Sequence, residues 1–261
     1  MVPEVKGGPF VFWDDLPAAM KIAKALGFDA VEIFPPSADS VHIEHLRTLL
    51  SDHGLGLAAM GTGAGWVRNK LHLCLPEGTA RSQAREFVRA IIEVAGELGA
   101  PAIIGSMQGR FGEGVDRQTA LGYLTDALDD LGEHALKWKV PLIYEPLNRY
   151  ETNLVNTIAA GVGLLADLST KNVLLLADLF HMNIEEHDIE VSILAGAGKI
   201  GHVHFVDSNR RPAGSGHIDF TPIVRALKQI DYQGYVSAEA LPYPDPDSAA
   251  KLTMDAFQRY F

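Results

Sequence analysis

Short apolar runs alternate with longer segments of helical period along the whole chain. The runs Phe10–Trp13, Ala30–Phe34, Leu55–Met60, Ala102–Gly105, Leu142–Glu145, Val173–Asp178, His202–Val206 and Tyr235–Glu239 read as strands. Between them, Leu16–Leu26, Ile43–Asp52, Ala80–Leu98, Thr119–Trp138, Ile158–Leu168 and Phe220–Gln229 repeat apolar residues at three- and four-residue spacing, the stripe of an amphipathic helix. Gly27, Gly54 and Gly99 follow Leu26, His53 and Leu98 and mark helix stops. Strand–helix repetition predicts a parallel sheet with right-handed crossovers. Eight such units in 261 residues fit one closed (β/α)8 barrel, an α/β domain spanning 1–261. An open doubly wound sheet would want a Gly-rich dinucleotide turn after its first strand. Here Gly7-Gly8 precedes that strand and no G-x-G-x-x-G follows it. No linker, internal repeat or low-complexity tract interrupts the pattern, and Leu241–Asp247 reads as the loop after the last strand.

Composition narrows the partners. Hydrophobic residues make up 47% and charged residues 21%, the balance of an ordinary globular protein. Cys74 is the single cysteine, so no intrachain disulfide can form, which suits a reducing cytoplasm. No recognisable His/Asp arrangement accompanies Cys74, so an inert thiol is expected rather than a nucleophile. Met1 to Lys6 carries no apolar signal core and no stretch is long enough to span a bilayer, so no membrane partner is expected. A formal charge of −11 argues against a nucleic-acid partner, which would need dense basic patches.

The chemistry lies in the second half. Four successive predicted strands each end in a ligand-type residue: Val140–Tyr144 in Glu145, Val173–Ala177 in Asp178, Ile200–Val203 in His204 and Tyr235–Ala238 in Glu239. These are strands five to eight of the predicted barrel, and the C-terminal ends of barrel strands converge on one mouth. Charged groups there are costly to bury unless paired or ligated. Three carboxylates and one imidazole form a mostly oxygen-rich set that favours one divalent ion, Mn²⁺ first, with Mg²⁺ or Co²⁺ as alternatives, and no organic cofactor. Two open positions on an octahedral ion would suit the adjacent oxygens of a hydroxy-ketone, whose α-proton a carboxylate could then remove. Glu145 and Glu239, on strands separated by two others, would face the substrate carbon from opposite sides as an acid/base pair.

Tyr144-Glu145-Pro146-Leu147-Asn148-Arg149-Tyr150-Glu151 and Ala177-Asp178-Leu179-Phe180-His181-Met182-Asn183-Ile184-Glu185-Glu186 closely resemble motifs of the xylose-isomerase-like TIM barrel superfamily. Within it they look most like the ketose 3-epimerases acting on D-tagatose or D-psicose. Gly201-His202-Val203-His204, Asn209-Arg210-Arg211 and Ser237-Ala238-Glu239 continue the likeness, which covers about half the chain. The resemblance implies that Glu145, Asp178, His204 and Glu239 hold the metal and that Glu145 and Glu239 double as the acid/base pair. By the same likeness His181 and Arg210 hold substrate oxygens, Glu151 supports them on the substrate side as an orienting group, and the chain assembles as a homo-oligomer, a dimer or a tetramer. The segment Gly105-Ser106-Met107-Gln108-Gly109-Arg110 departs from the ketose 3-epimerases towards hydroxypyruvate-isomerase-like members.

Other readings stand beside these. The same site could serve an aldose–ketose or hydroxypyruvate isomerase, or a keto-polyol dehydratase. Asp207-Ser208-Asn209-Arg210-Arg211-Pro212 is reminiscent of apurinic endonucleases, but those need further histidines on early strands, and none stands at Met60-Gly61 or Gly105-Ser106. A fold-retaining binding protein would be expected to have lost a ligand. His202 is expected to face away from the barrel interior in a structural role. Glu32 either enters the site or makes a structural hydrogen bond. Phe12 and Trp13 either wall the pocket or fill the core, and Asp219 is expected to cap the helix after it.

Overall fold

The computed structural model describes residues 4, 6–112 and 114–261. Residues 1–3 and 5, which belong to the segment read for a leader, lie outside the described residues, as does residue 113.

In chain order the elements are α1 (Leu16–Leu26), β1 (Ala30–Ile33), α2 (Ile43–His53), β2 (Gly56–Gly61), α3 (Ala64–Asn69), α4 (Gly78–Glu97) and β3 (Ala102–Ile104). There follow α5 (Arg117–Ala135), β4 (Leu142–Tyr144), α6 (Ile158–Asp167), β5 (Val173–Asp178), α7 (Leu179–Glu185) and α8 (Ile189–Ala195). The chain ends with β6 (Ile200–His204), α9 (Phe220–Gln229), β7 (Val236–Ser237) and α10 (Pro246–Tyr260). The strands pair in parallel in sequence order, β1 to β7. This is the TIM barrel fold, with seven laddered strands among the described residues.

The sequence signals act where expected. Gly27 and Gly54 close α1 and α2 in the left-handed conformation, at φ 93° and 58°, where a Cβ would be strained. Asp15 and Asp219 cap α1 and α9 by accepting backbone N–H bonds from Ala18 and Thr221. Helix faces bury Met20, Leu46, Val88 and Leu124 against the sheet.

The predicted first strand is the main correction. Phe10–Trp13 carries no ladder, so among the described residues there is no eighth strand and the four ligand-type residues follow β4 to β7. The reason is local. Pro9 has no N–H to donate, Gly7 turns at φ 91°, and the Phe10 N–H is taken by the Gly8 carbonyl at 2.8 Å. The aromatic rings that gave the run its strand-like character pack on one another instead: Phe10 lies 5.4 Å from Trp13 and 4.7 Å from Phe34, between ring centroids. A cavity of about 480 Å³ lies between β1 and β7, lined by Trp13, Phe34, Glu32, Ser237, Glu239 and Phe257 among others. Trp13 and Phe12 therefore wall a cavity, one of the two fates expected for them.

Inside the barrel Ala59, Ile103, Ile143 and Leu176 form a small apolar cluster. Glu145 and Asp178 stand two residues further along the same faces of their strands, so they rest on this floor.

Candidate active site

Each ligand-type side chain is aimed by its element. Asp178 ends β5 and is the N-cap of α7. Its Oδ1 accepts the backbone N–H groups of Phe180 (2.8 Å) and His181 (3.1 Å), which leaves Oδ2 to meet His204 Nδ1 at 3.0 Å. Asp178 and His204 are register partners across β5 and β6, so the ladder itself sets this meeting. Glu145 directly follows β4. Its backbone carbonyl accepts from Gln108 Nε2 at 2.9 Å, and Gln108 is held in turn by the Tyr144 hydroxyl at 2.6 Å. Glu239 follows β7 and pairs with Arg210 through Nη2.

Side-chain atoms of Glu145, Asp178, His204 and Glu239 converge within 4.8 Å of one another. His204 Nδ1 lies 3.8 Å from Glu145 Oε1 and 3.9 Å from Glu239 Oε2. Burial opposes ionisation of Glu145, and the charges of Glu239 and Asp178 add to that effect. His204 and Arg210 offset it only in part, and the carboxyl is pushed well above the usual range. Glu239 is raised by burial too, less so because Arg210 and His204 face it. Asp178 is also buried, but the bond to His204 and the charges of His204 and Arg210 hold its carboxyl below the usual range. Burial disfavours His204 as a cation, yet Glu32 and Asp178 on its two nitrogens overcome this and raise it well above an ordinary imidazole.

His181 sits on the first turn of α7. Its Nδ1 takes the Asn148 backbone N–H at 3.2 Å and faces the Asn148 side-chain amide at 2.7 Å. A backbone N–H can only donate, so Nδ1 accepts and the ring proton belongs on Nε2. Burial lowers the His181 pKa, which keeps the ring neutral. Nε2 is buried without a hydrogen-bond partner among the described residues and faces Glu145 Oε1, likewise unpartnered among them, at 3.7 Å.

Arg210 occupies the left-handed region at φ 57°, a costly conformation for a side chain with a Cβ. Its loop is held by Asp207, which accepts from the backbone of Ser208, Gly214 and Ile218. Thus fixed, the guanidinium reaches Glu239, approaches Glu151 at 3.5 Å and lies over the Phe180 ring at 4.8 Å. Glu151 accepts from Asn148 Nδ2 at 3.1 Å. The structure thus brings together every residue singled out from the sequence: Glu145, Glu151, Asp178, His181, His204, Arg210 and Glu239.

One assignment changes, and one open alternative is decided. His202 does not face away from the interior: residues two apart on a strand point to the same side, and His202 lies edge-on to His204 with centroids 5.5 Å apart. Glu32 enters the cluster, bonding His202 Nε2 at 2.7 Å and His204 Nε2 at 3.2 Å. Gln108 and Asn148 were not singled out as supports, because each acts on a partner more than thirty residues away. Gly105 matters for its missing side chain. A Cβ there would stand 2.5 Å from Glu145 Oε2.

The donor set fits a cation. Glu32, Glu145, Asp178 and Glu239 bring more negative charge to a buried place than Arg210 and His204 balance, and Glu145 Oε1 has no partner.

Residues 20–260 match the family described as the xylose isomerase-like TIM barrel. The chain belongs to this family. It is 31% identical over 230 residues to an L-ribulose 3-epimerase of Mesorhizobium japonicum, covering 87% of this chain and 75% of the relative. It is 28% identical over 233 residues to a 3-dehydro-D-guloside 4-epimerase of Escherichia coli, covering 87% and 88%. The crystal structure of a D-allulose 3-epimerase from Methylomonas sp. with D-allulose superposes with a TM-score of 0.84 at 25% identity, over 98% of this chain and 96% of that one. As a member of this family the protein is an isomerase-class enzyme acting on carbohydrates. No helix among the described residues is long and apolar enough to cross a membrane.

Proposed function

We propose that the enzyme is a metal-dependent ketose 3-epimerase in which Glu145 and Glu239 move a proton through a cis-enediolate. The observation that carries this reading is the pair of carboxylates, on strands separated by two others, that flank His204 Nδ1 at 3.8 and 3.9 Å. The 3-epimerase names of two of the relatives reported above support it.

A divalent ion, Mn²⁺ first and Mg²⁺ or Co²⁺ as alternatives, would be held by Glu145, Asp178, His204 and Glu239, and supplies Lewis-acid polarisation of the substrate carbonyl when bound. In the proton steps, one glutamate takes the C3 proton as the carbonyl becomes an enediolate. The other, protonated, returns a proton to the opposite face of C3 and the carbonyl re-forms. The two glutamates exchange roles for the reverse reaction. His181 Nε2–H donates to a substrate oxygen beside Glu145, and Arg210 holds Glu239 in place and presents cationic charge to a second oxygen. Glu151 orients Arg210 and Asn148. The aromatic wall of Trp13 and Phe34 excludes water from the enediolate.

Incubation with Mn²⁺ in D₂O, using free ketoses, ketose phosphates, hydroxypyruvate and a 3-keto-glycoside, tests this by NMR. Deuterium at C3 with a new epimer is expected, and Glu239→Gln should lose the exchange. Deuterium at C1 or C2 with an aldose product would move the enzyme to the aldose–ketose isomerases. Deuterium at C4 of the glycoside would make it a 4-epimerase.

A further inference from the structure

Glu32 is the carboxylate of the cluster that the proposed chemistry leaves without a role. It stands on β1, at the open side of the sheet, and its side chain crosses to β6 and β7. Oε1 lies 3.2 Å from His204 Nε2, while Oε2 lies 2.7 Å from His202 Nε2 and accepts the Ser237 hydroxyl at 2.8 Å. Glu32, His202 and His204 are close enough to hold a cation of their own. Their separations, however, are those of hydrogen bonds already made, and a carboxylate can only accept. Both imidazoles therefore present Nε2–H to it, and His204 likewise presents Nδ1–H to Asp178 Oδ2 at 3.0 Å; Nε2 faces this one carboxylate, whereas Nδ1 faces Asp178, Glu145 and Glu239 together.

We propose that Glu32 is a positioning residue that keeps a proton on His204 Nε2, so that Nδ1 is the nitrogen that gives up its proton when a cation enters the ligand cluster. The inference rests on the metal-site reading above. A neutral imidazole carries one N–H, and a ligand nitrogen must carry none, so whatever holds the proton at the far nitrogen decides which nitrogen ligates. His202 gives the arrangement its selectivity. It occupies Oε2, together with Ser237, and leaves Oε1 to His204. The ladder supports the same geometry, because His204 and Ser237 are register partners and Glu32 is fixed opposite Ala59.

Replacing Glu32 by Gln keeps the shape but leaves one accepting oxygen and one donating amide for two imidazoles. When the amide faces His204, Nε2 must accept, the ring proton moves to Nδ1, and that nitrogen can no longer ligate. Mn²⁺ binding to purified wild type, Glu32→Gln and Glu32→Asp, followed by calorimetry and by the EPR of free Mn²⁺, reads this without reference to catalysis. A loss of affinity of about tenfold to a hundredfold is expected for Glu32→Gln, with partial recovery in Glu32→Asp, which restores the carboxylate.

A structural role alone would lower the melting temperature of the metal-free protein and leave the affinity of the folded fraction within twofold of wild type; that outcome overturns the proposal. The wild type offers a second measurement that does not depend on a variant folding. In the Mg²⁺-loaded protein, ¹⁵N NMR should find the His204 proton on Nε2, and a proton on Nδ1 overturns the proposal outright. A wild type that binds no Mn²⁺ defeats the metal-site reading and this proposal with it, whereas a wild type that binds Mn²⁺ as tightly as a folded Glu32→Gln defeats this proposal alone.

Discussion

His181 turns Nδ1 to the Asn148 backbone N–H at 3.2 Å and thereby points Nε2 at Glu145 Oε1, 3.7 Å away. One short backbone contact therefore makes a buried neutral imidazole a hydrogen-bond donor beside a buried carboxyl. Asn148→Asp should reverse this. The substitution replaces the side-chain amide that faces Nδ1 at 2.7 Å with a carboxylate, which competes with the longer backbone contact, draws the ring proton to that nitrogen and turns Nε2 into an acceptor. With the fold retained, kcat should fall about a hundredfold, the scale of losing one donor aimed at developing charge. Steady-state kinetics with the ¹⁵N spectrum of His181 checks this, and an unchanged kcat with the proton still on Nε2 would sink it.

Arg210 invites a different test because it is held in a left-handed conformation and buried against Glu239. Removing one partner of a buried pair leaves the other charge uncompensated, at a cost of about 3 kcal/mol. Arg210→Met should lower the stability of the metal-free protein by that order in chemical denaturation, and added Mn²⁺ should recover part of it. A variant as stable as wild type without metal would mean that Glu239 does not depend on Arg210.

How much of this site was legible in the sequence follows from the physics of each residue. Glu145, Asp178, His204 and Glu239 stood out because each ends an apolar run, and a parallel sheet gathers such ends at one mouth. Phe10–Trp13 misled because aromatic composition signals burial, while ladder pairing depends on free backbone donors, which Pro9 and the Gly8 turn remove. His202 misled because the two-residue period of a strand puts it on the same side as His204. The contacts of Glu32 with His204, Gln108 with Glu145 and Asn148 with His181 join residues far apart in sequence, which no local pattern encodes.

Gly105 gives a steric prediction. A methyl group at its Cβ position would stand 2.5 Å from Glu145 Oε2, so the carboxylate must move. Gly105→Ala should weaken Mn²⁺ binding by about tenfold or more, a loss on the scale of disturbing the groups that orient a ligand. Calorimetric titration decides it, and wild-type affinity would show that Glu145 has room to shift.

Cys74 should be chemically silent in the native enzyme. Burial pushes its thiol up to about 12, against the opposing charge of Arg81, and Sγ lies 3.1 Å from the Gln108 carbonyl. At neutral pH almost no thiolate exists to react. A thiol reagent such as DTNB should label it only after denaturation. Rapid labelling of the folded, active protein would contradict the buried placement.

Metal binding should depend on pH with a definite sign. The metal-free site holds His204 raised well above an ordinary imidazole and Glu145 raised well above an ordinary carboxyl, so both keep their protons to higher pH than the free groups do. Each must release its proton for Nδ1 or the carboxylate to ligate, whereas Asp178, held below the usual range, has none to release. Affinity should therefore fall as pH falls from about 8 to 6. Calorimetry in buffers of different ionisation enthalpy should find protons released as Mn²⁺ binds. The Glu145→Gln variant, with one titrating ligand fewer, should release fewer and show a shallower slope. An affinity constant across that range would mean that His204 and Glu145 are already deprotonated before the ion arrives, and that the charges of Glu32, Asp178 and Glu239 do not act on them as the distances in the site imply.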